Sequence, residues 1–210
     1  MYSVASRSRK CTPENVKFIE SEVQRLLAAH IIESARSLWR AQVLVVHQGQ
    51  KKTLVIDYSM TINRFTLSDP YPLPNIEELV NNVAQARYYS SLDLRSAYHQ
   101  IRLLEEERFY TAFEVGGELY QYKRLPFGIT NGVSAFPRSI DCFIKRYQLQ
   151  KVYAYLDDLT ITGETIEEHD LNLKRLLDAA AACNLTFNED KSKIRRLRSG
   201  CFVISFRTRL

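Results

Sequence analysis

Long apolar runs, paired cysteines and a secretion signal are all missing from this sequence of 210 residues. No apolar stretch approaches the ~18 residues that a membrane helix needs, and residues 1–10 are polar and basic instead of apolar. The four cysteines are scattered without a Cys-x-x-Cys pair, which argues against a disulfide framework or a structural zinc. We therefore expect an intracellular protein that does not contact a membrane.

Several common catalytic motifs are missing as well. There is no G-x-G-x-x-G, no Walker A loop, no H-E-x-x-H and no G-x-S-x-G. The sequence therefore lacks the motifs that are the main evidence for four enzyme classes: dinucleotide-dependent enzymes, P-loop enzymes, zinc proteases and α/β-hydrolases. With 45% hydrophobic and 25% charged residues, the composition is that of a globular protein of one domain or two intimate subdomains.

The net charge of +5 comes from the end of the chain. Residues 191–210 contain seven basic side chains and no acid, so the rest of the sequence is slightly acidic. This tail could meet phosphates or could be an ordinary solvated run, and charge alone favours neither. We expect it to be irregular in structure.

Helical and extended patterns alternate along the chain. Apolar residues at helical spacing predict helices that begin after Thr12, Asn75, Ser134 and Thr165. Pro137 is expected in the first turn of the third helix, where a missing N–H is tolerated. β-Branched and alternating runs predict a strand over 87–94 and hairpins over 41–58, 111–123 and 152–162. Helices mixed with antiparallel hairpins favour an α+β fold over a doubly wound parallel sheet.

Two adjacent acids, Asp157 and Asp158, interrupt one of the apolar hairpins. Burying an uncompensated carboxylate is costly, so these side chains must be solvated, paired or holding cations. Taken alone, a solvated turn is preferred, because Asp is a common turn residue. If the strand that ends near Asp93 lies beside this hairpin, three carboxylates converge, as in sites where Mg²⁺ is held by carboxylates and substrate phosphates. The spacing alone does not establish that convergence.

Seven blocks of the sequence follow the order and spacing of one protein family. They are Ile-Asp-Tyr at 56–58 with Asn63 after it, Tyr-Pro-Leu-Pro at 71–74, Leu-Asp-Leu-Arg-Ser-Ala-Tyr-His-Gln-Ile at 92–101, Thr-Ala-Phe at 111–113, Leu-Pro-Phe-Gly at 125–128, Tyr-Leu-Asp-Asp at 155–158 and Glu-Glu-His at 167–169. Over residues 13–191 the chain thus resembles the reverse transcriptase of gypsy-type LTR retrotransposons.

The resemblance implies a right-hand polymerase fold of the α+β class, with an antiparallel palm sheet packed on helices. It assigns residues 1–30 to an N-terminal segment and first helix, 31–87 and 101–131 to the fingers, and 88–100 and 132–210 to the palm, including the irregular basic tail. In the family, a thumb, RNase H and integrase follow the palm within a polyprotein that also holds a protease. Because the given sequence stops at Leu210, we expect no thumb within it.

The resemblance also implies the chemistry of an RNA-directed DNA polymerase, which adds deoxynucleoside triphosphates to a primer on an RNA or DNA template. The implied cofactors are two Mg²⁺ ions, or Mn²⁺ in their place. Their ligands would be the carboxylates of Asp93, Asp157 and Asp158, together with the Leu94 carbonyl. Such a protein is expected in the cytoplasm, in virus-like particles or in the nucleus; the oligomeric state is not indicated.

The implied nucleotide pocket contains five further residues. Tyr98 would exclude a 2′-hydroxyl, and Phe127 and Gly128 would line the incoming nucleotide, where Gly permits close backbone approach. The backbone amides of Arg95 and Ser96 would flank the triphosphate.

Three neighbours of the implied site have other expected roles. His99 and His169 are expected to be structural. Lys191 is expected near the edge of the active site.

One departure from the family keeps an alternative open. Thr53 stands where the family has an arginine that grips the triphosphate, and a neutral hydroxyl cannot replace that cation unless Lys51 or Lys52 substitutes. The alternative is a truncated, catalytically silent remnant that only binds nucleic acid. An unrelated metal-binding structural domain would require the blocks to agree by coincidence.

Overall fold

The computed structural model describes residues 4–6, 11–72 and 74–197, and residues 198–210 of the basic tail lie outside this range. The chain divides into two compact units. The first unit consists of the chain up to residue 70 and of residues 98–135, and the second consists of residues 71–97 and of the chain from residue 136 onward.

Helices and strands alternate along both units. The helices are α1 (Pro13–Ala28), α2 (Ile62–Phe65), α3 (Ile76–Gln85), α4 (Gly132–Arg146) and α5 (Ile166–Ala182), with 3₁₀ turns at Ala97–Gln100 and Glu105–Thr111. The strands are β1 (Ile32–Ser34), β2 (Gln42–Gln48), β3 (Lys51–Asp57), β4 (Tyr88–Leu94), β5 (Phe113–Val115), β6 (Glu118–Tyr122), β7 (Val152–Tyr155), β8 (Asp158–Gly163) and β9 (Phe187–Leu197). No helix in the described part of the chain is both long and apolar enough to cross a membrane.

The first unit is built on a sheet of order β1-β6-β5 and on the β2–β3 hairpin. Helix α1 begins as predicted, because the Thr12 hydroxyl accepts the Asn15 N–H and Pro13 stands at the start of the helix. Tyr58 belongs to the core of this unit, is 1% exposed and donates its hydroxyl to the Thr111 carbonyl at 3.1 Å. A buried hydroxyl is therefore satisfied at the end of β3.

The second unit is built on an antiparallel sheet of order β7-β8-β4-β9. Helix α5 begins as predicted at Thr165, whose hydroxyl accepts the Glu168 N–H at 3.2 Å. One turn later the fully buried His169 bonds to Ser90 of β4 through Nε2 at 2.9 Å and to Asp170 through Nδ1 at 3.0 Å. These contacts give His169 the structural role expected of it.

Two sequence-based predictions of structure are wrong. Pro137 lies in the second turn of α4 instead of the first, because the helix already starts at Gly132, where the Asn131 carbonyl accepts the Ala135 N–H at 2.8 Å. The basic tail is not irregular over residues 191–197, because these residues belong to β9 (Phe187–Leu197), which pairs with β4. A strand whose partner is distant in the sequence is stabilised by that pairing, which local composition does not reveal.

Candidate active site

Two of the three predicted acids face each other in the sheet of the second unit. Strands β4 and β8 are antiparallel, and their register puts Asp93 directly opposite Asp158. Facing residues of such a pair have Cβ atoms about 4.5–5.5 Å apart, so their side chains interact. Both side chains are half-buried. The approach of Asp93 to Asp158, which the spacing could not establish, is therefore present.

The third acid occupies the tight turn between β7 and β8. Tyr155 pairs with Asp158, which leaves Leu156 and Asp157 as a two-residue turn. Leu156 has a φ of +50°, a left-handed conformation that is unfavourable for a branched side chain. The exposed Asp157 is held next to β4, because its carbonyl accepts the Leu94 N–H at 2.8 Å.

The site concentrates negative charge and partly compensates it with lysines of β9. Burial raises the pKa of Asp158, and the neighbouring carboxylates of Asp93 and Asp157 raise it further, whereas Lys191 and Lys193 lower it. Lys191 Nζ lies 3.3 Å from Asp93 Oδ1. Lys191 is thus at the edge of the acidic site, as expected, while the contribution of Lys193 was missed because residues 187–197 were not recognised as a strand.

The donor set suits a hard cation that completes its coordination with other ligands. Within the described residues, no three His, Cys, Asp or Glu side chains are grouped closely enough to enclose a metal ion by themselves. Mg²⁺ is usually bound through one or two carboxylates plus water and substrate phosphates, so facing carboxylates beside a third acid fit it. The ammonium group of Lys191, which donates to Asp93, shows that this negative charge already binds a cation.

The remaining predicted residues of the second unit lie where β4 ends. Leu94 is buried, and the Arg95 N–H donates to the Thr186 carbonyl at 3.0 Å, so the expected role of this amide as a phosphate donor is wrong. The Arg95 side chain is exposed. Ser96 is also exposed and has a φ of +46°, which places its backbone in a strained turn directly after the strand.

The predicted nucleotide-pocket residues of the first unit form an aromatic cluster. Tyr98 and Phe127 have ring centroids 4.8 Å apart, and His99 meets Phe127 edge to face at 5.3 Å. Gly128 has a φ of +88°, and a Cβ there would lie 3.4 Å from the Ile56 carbonyl. Glycine therefore satisfies both the backbone conformation and the close approach at this position.

The position that departs from the family lies on β3 of the first unit. Thr53 is exposed there. Lys52 forms an ion pair with Glu14 of α1. The unit therefore presents a hydroxyl at residue 53, and Lys51 is exposed on the same strand.

Known proteins resemble this chain in sequence. A family model described as reverse transcriptase (RNA-dependent DNA polymerase) matches residues 31–203. A retrovirus-related Pol polyprotein from transposon gypsy of Drosophila melanogaster is 35% identical over 184 residues, which cover 84% of this chain and 18% of the polyprotein. A putative enzymatic polyprotein of Cassava vein mosaic virus is 35% identical over 151 residues, which cover 70% of this chain and 23% of that protein.

Solved structures resemble the chain in fold. The foamy viral protease-reverse transcriptase in complex with an RNA/DNA hybrid matches with a TM-score of 0.80 at 19% identity, over 90% of this chain and 25% of that one. A related structure of that enzyme with double-stranded DNA matches with a TM-score of 0.81 at 19% identity, over 94% of this chain and 34% of that one. The predicted α+β polymerase fold with fingers and palm is thereby confirmed.

The fold and the facing acids of its two central strands, β4 and β8, define a domain of the right-hand polymerase class. Within that class, the chain belongs to the reverse transcriptase (RNA-dependent DNA polymerase) family and is similar to the corresponding domain of retrotransposon Pol polyproteins. It spans about a fifth of the length of the polyproteins it matches.

Proposed function

We propose that this chain catalyses the addition of deoxynucleotides to a primer 3′ end, copying an RNA or DNA template. The observation that carries the proposal is the register of β4 and β8, which sets Asp93 against Asp158 at the end of the palm sheet. Family membership supplies the reaction class. The substrates are deoxynucleoside triphosphates and a primed template, and pyrophosphate is the leaving group.

The acidic site is proposed to bind two Mg²⁺ ions, or Mn²⁺ in their place, through Asp93, Asp157, Asp158 and the Leu94 carbonyl. Such ions, when bound, neutralise the phosphates and lower the pKa of the primer hydroxyl. The contribution of the chain is rigidity: the hydrogen bond between Leu94 and Asp157 ties the turn to β4, so the carboxylates keep their separation. Preorganised charges of this kind need no rearrangement during the reaction.

Tyr98 is proposed to select deoxynucleotides, with Phe127 packed against its ring and Gly128 beside it as part of the same pocket. The ring of Tyr98 is backed by residues of its own unit, since a Cβ at Gly132 would approach it to 3.3 Å. A ring supported in this way resists displacement by a bulkier sugar. A steric wall of this type discriminates by exclusion of the added hydroxyl. The exposed Arg95 side chain and Ser96 are proposed to meet the triphosphate.

The proposed partners follow from the relatives. The polyproteins that resemble this chain support its origin as a segment of a Pol polyprotein. We propose that protease, RNase H and integrase segments accompany it there. The foamy viral complexes with double-stranded DNA and with an RNA/DNA hybrid support a primed template as the partner. Recognition of phosphates and of duplex shape suits an enzyme that must copy any sequence.

Primer extension tests the proposal. The chain is incubated with Mg²⁺, primed poly(rA) and dTTP and compared with Asp157→Asn and with Asp178→Asn, which makes the same charge change on the exposed face of α5. We expect extension by the unchanged protein and by Asp178→Asn, and a loss of more than about a hundredfold in Asp157→Asn. Equal rates in all three proteins would remove the polymerase assignment.

A silent nucleic-acid-binding remnant is the second candidate, and the exposed Thr53 on β3 favours it. Without a guanidinium at this position, the triphosphate loses a bidentate partner. This candidate predicts salt-sensitive binding of a primed template without extension, and weaker binding when the basic residues of 191–209 are neutralised. Thr53→Arg should then restore extension if the missing cation alone is responsible.

A further inference from the structure

One side chain in the first unit holds the loop that carries Phe127. Asn63 Nδ2 donates to the Gly128 carbonyl at 2.7 Å, and Asn63 Oδ1 accepts the Thr130 N–H at 2.9 Å. Each end of the amide thus meets a complementary backbone group, and a flipped amide would set like groups against each other. The loop is fixed at two points, two residues apart, by a single planar group.

Asn63 is itself anchored in the core. Its N–H donates to the Tyr58 carbonyl at 3.2 Å, within the short α2 turn. Tyr58 is almost fully buried and bonds to the Thr111 carbonyl. A rigid support is what allows a side chain to impose a conformation on a loop instead of following it.

Two features of the loop 127–130 would allow it to move if it were not restrained. Phe127 is 56% exposed, so burial alone does not hold its ring against Tyr98. Gly128, next to it, has a φ of +88° and the conformational freedom of a residue without Cβ. A flexible residue next to a half-exposed ring would let that ring leave Tyr98 unless the backbone is tied down.

We infer that Asn63 is a positioning residue for nucleotide selection, acting through the loop 127–130 and not through contact with substrate. This inference rests on the proposed function, because it assumes that Tyr98 and Phe127 meet the incoming nucleotide. The two hydrogen bonds from the Asn63 side chain to the loop 127–130 are called the clamp below. With the clamp intact, Phe127 supports Tyr98 in one orientation. With the clamp broken, Tyr98 and Phe127 are free to move away from the sugar of the nucleotide, while the acids of the second unit are unchanged.

Asn63→Asp breaks one half of the clamp with almost no change of shape. The carboxylate still accepts the Thr130 N–H, but it sets an oxygen in place of the amide donor against the Gly128 carbonyl. Leaving a carbonyl without its donor and facing a negative charge costs enough to change an equilibrium about tenfold or more. Asn63→Gln is the milder second variant, because it keeps the amide and displaces it by one methylene.

Ser37→Ala is the matched control for a loss of stability alone. The Ser37 hydroxyl also forms one donated and one accepted bond within the first unit, to the Phe109 carbonyl at 2.7 Å and from the Trp39 N–H at 2.9 Å. These bonds lie outside the loop 127–130. If Asn63 only stabilised the fold, Ser37→Ala should therefore change the kinetic constants in the same way as the Asn63 variants.

The experiment measures kcat and KM for dTTP and for UTP on primed poly(rA). We expect Asn63→Asp to raise the KM for dTTP about tenfold and to lower the preference for dTTP over UTP about tenfold, with kcat for dTTP within about twofold. Ser37→Ala should leave the KM and the preference unchanged. If Asn63→Asp fails to fold, Asn63→Gln should show the same changes at about threefold.

Hydrogen exchange at the Thr130 amide separates failure of the inference from failure of the proposed function. We expect exchange at this amide to accelerate at least threefold in Asn63→Gln, which displaces the carbonyl oxygen that accepts it, and not in Ser37→Ala, whether or not the protein extends primers. The inference would be overturned if the unchanged protein extends primers and both Asn63 variants keep its KM for dTTP and its preference for dTTP over UTP. The polymerase assignment would then still stand. Lack of extension by the unchanged protein would instead remove the polymerase assignment, on which the inference rests.

Discussion

Lys191 Nζ lies 3.3 Å from Asp93 Oδ1, so a cation of β9 already neutralises part of the acidic site on β4. A divalent ion that binds Asp93, as proposed above, would have to compete with this ammonium group. The pair is partly exposed, and such pairs contribute about 0–1 kcal/mol, which limits the competition to a factor of at most about five in affinity.

Lys191→Met should therefore tighten binding of Mn²⁺ about two- to fivefold, measured from the electron paramagnetic resonance signal of the free ion. Lys174→Met on the exposed face of α5 makes the same charge change away from the site and should leave the affinity unchanged. Weaker Mn²⁺ binding by Lys191→Met would mean that the lysine orients Asp93 for the metal instead of competing with it.

Asp158→Asn should stabilise the fold while it impairs extension. Its carboxylate is half-buried and is repelled by Asp93 and Asp157, which together with burial raise its pKa. Removing the charge in the absence of metal should raise the free energy of unfolding by about 1 kcal/mol, or the melting temperature by about 2–4 °C. Thermal melting in EDTA measures this, with Asp178→Asn as the exposed control. A lower melting temperature of Asp158→Asn would show that the carboxylate is already well compensated.

Gly163→Ala should destabilise the second unit strongly. A Cβ at Gly163 would lie 2.5 Å from His169 N and 2.7 Å from His169 Cα, and helical backbone cannot yield as a flexible side chain does. We expect a loss of about 3 kcal/mol in denaturant unfolding. Gly49→Ala, in the β2–β3 turn, has no atom within 4 Å of the added Cβ and a φ of +60°, so it should cost only about 1 kcal/mol. Similar losses in both variants would contradict the steric explanation.

His99 should make the stability of the protein depend on pH. Burial, together with the positive charge of Arg25, lowers the pKa of His99 to about 4. The unfolded chain, with a His pKa of about 6.5, then binds more protons than the folded chain between these values, so stability falls as the pH drops from about 6.5 to about 4. Since His99 is partly exposed, we expect it to account for a loss of about 1–2 kcal/mol between pH 7.5 and pH 5.

Denaturant unfolding at the two pH values measures this contribution. His99→Gln should reduce the difference between pH 7.5 and pH 5 by about 1–2 kcal/mol, whereas a control variant of the exposed His47, His47→Gln, should keep it. An unchanged pH dependence in His99→Gln would assign the effect to other groups.

Much of this protein is determined by short stretches of its sequence. Thr12 and Thr165 start α1 and α5 through bonds to amides three residues away, and such local bonds form wherever those residues occur together. The hairpin of β7 and β8 follows from two apolar runs broken by acids, although its turn consists of Leu156 and Asp157 instead of the predicted Asp157 and Asp158. The order of the sequence blocks was sufficient to predict the family, because each block is a local pattern.

The tertiary structure decided what depends on residues far apart in the chain. Strand β9 was missed because its stabilising partner is β4, and the predicted start of α4 was wrong because Asn131 is held by bonds to Leu67 and Asp69, about sixty residues earlier. The pairing of Asp93 with Asp158 and the approach of Lys191 likewise require one particular register among β8, β4 and β9. A sequence specifies which side chains are available, but the energy of a charge depends on the distance to its neighbours, and only the packed sheet sets that distance.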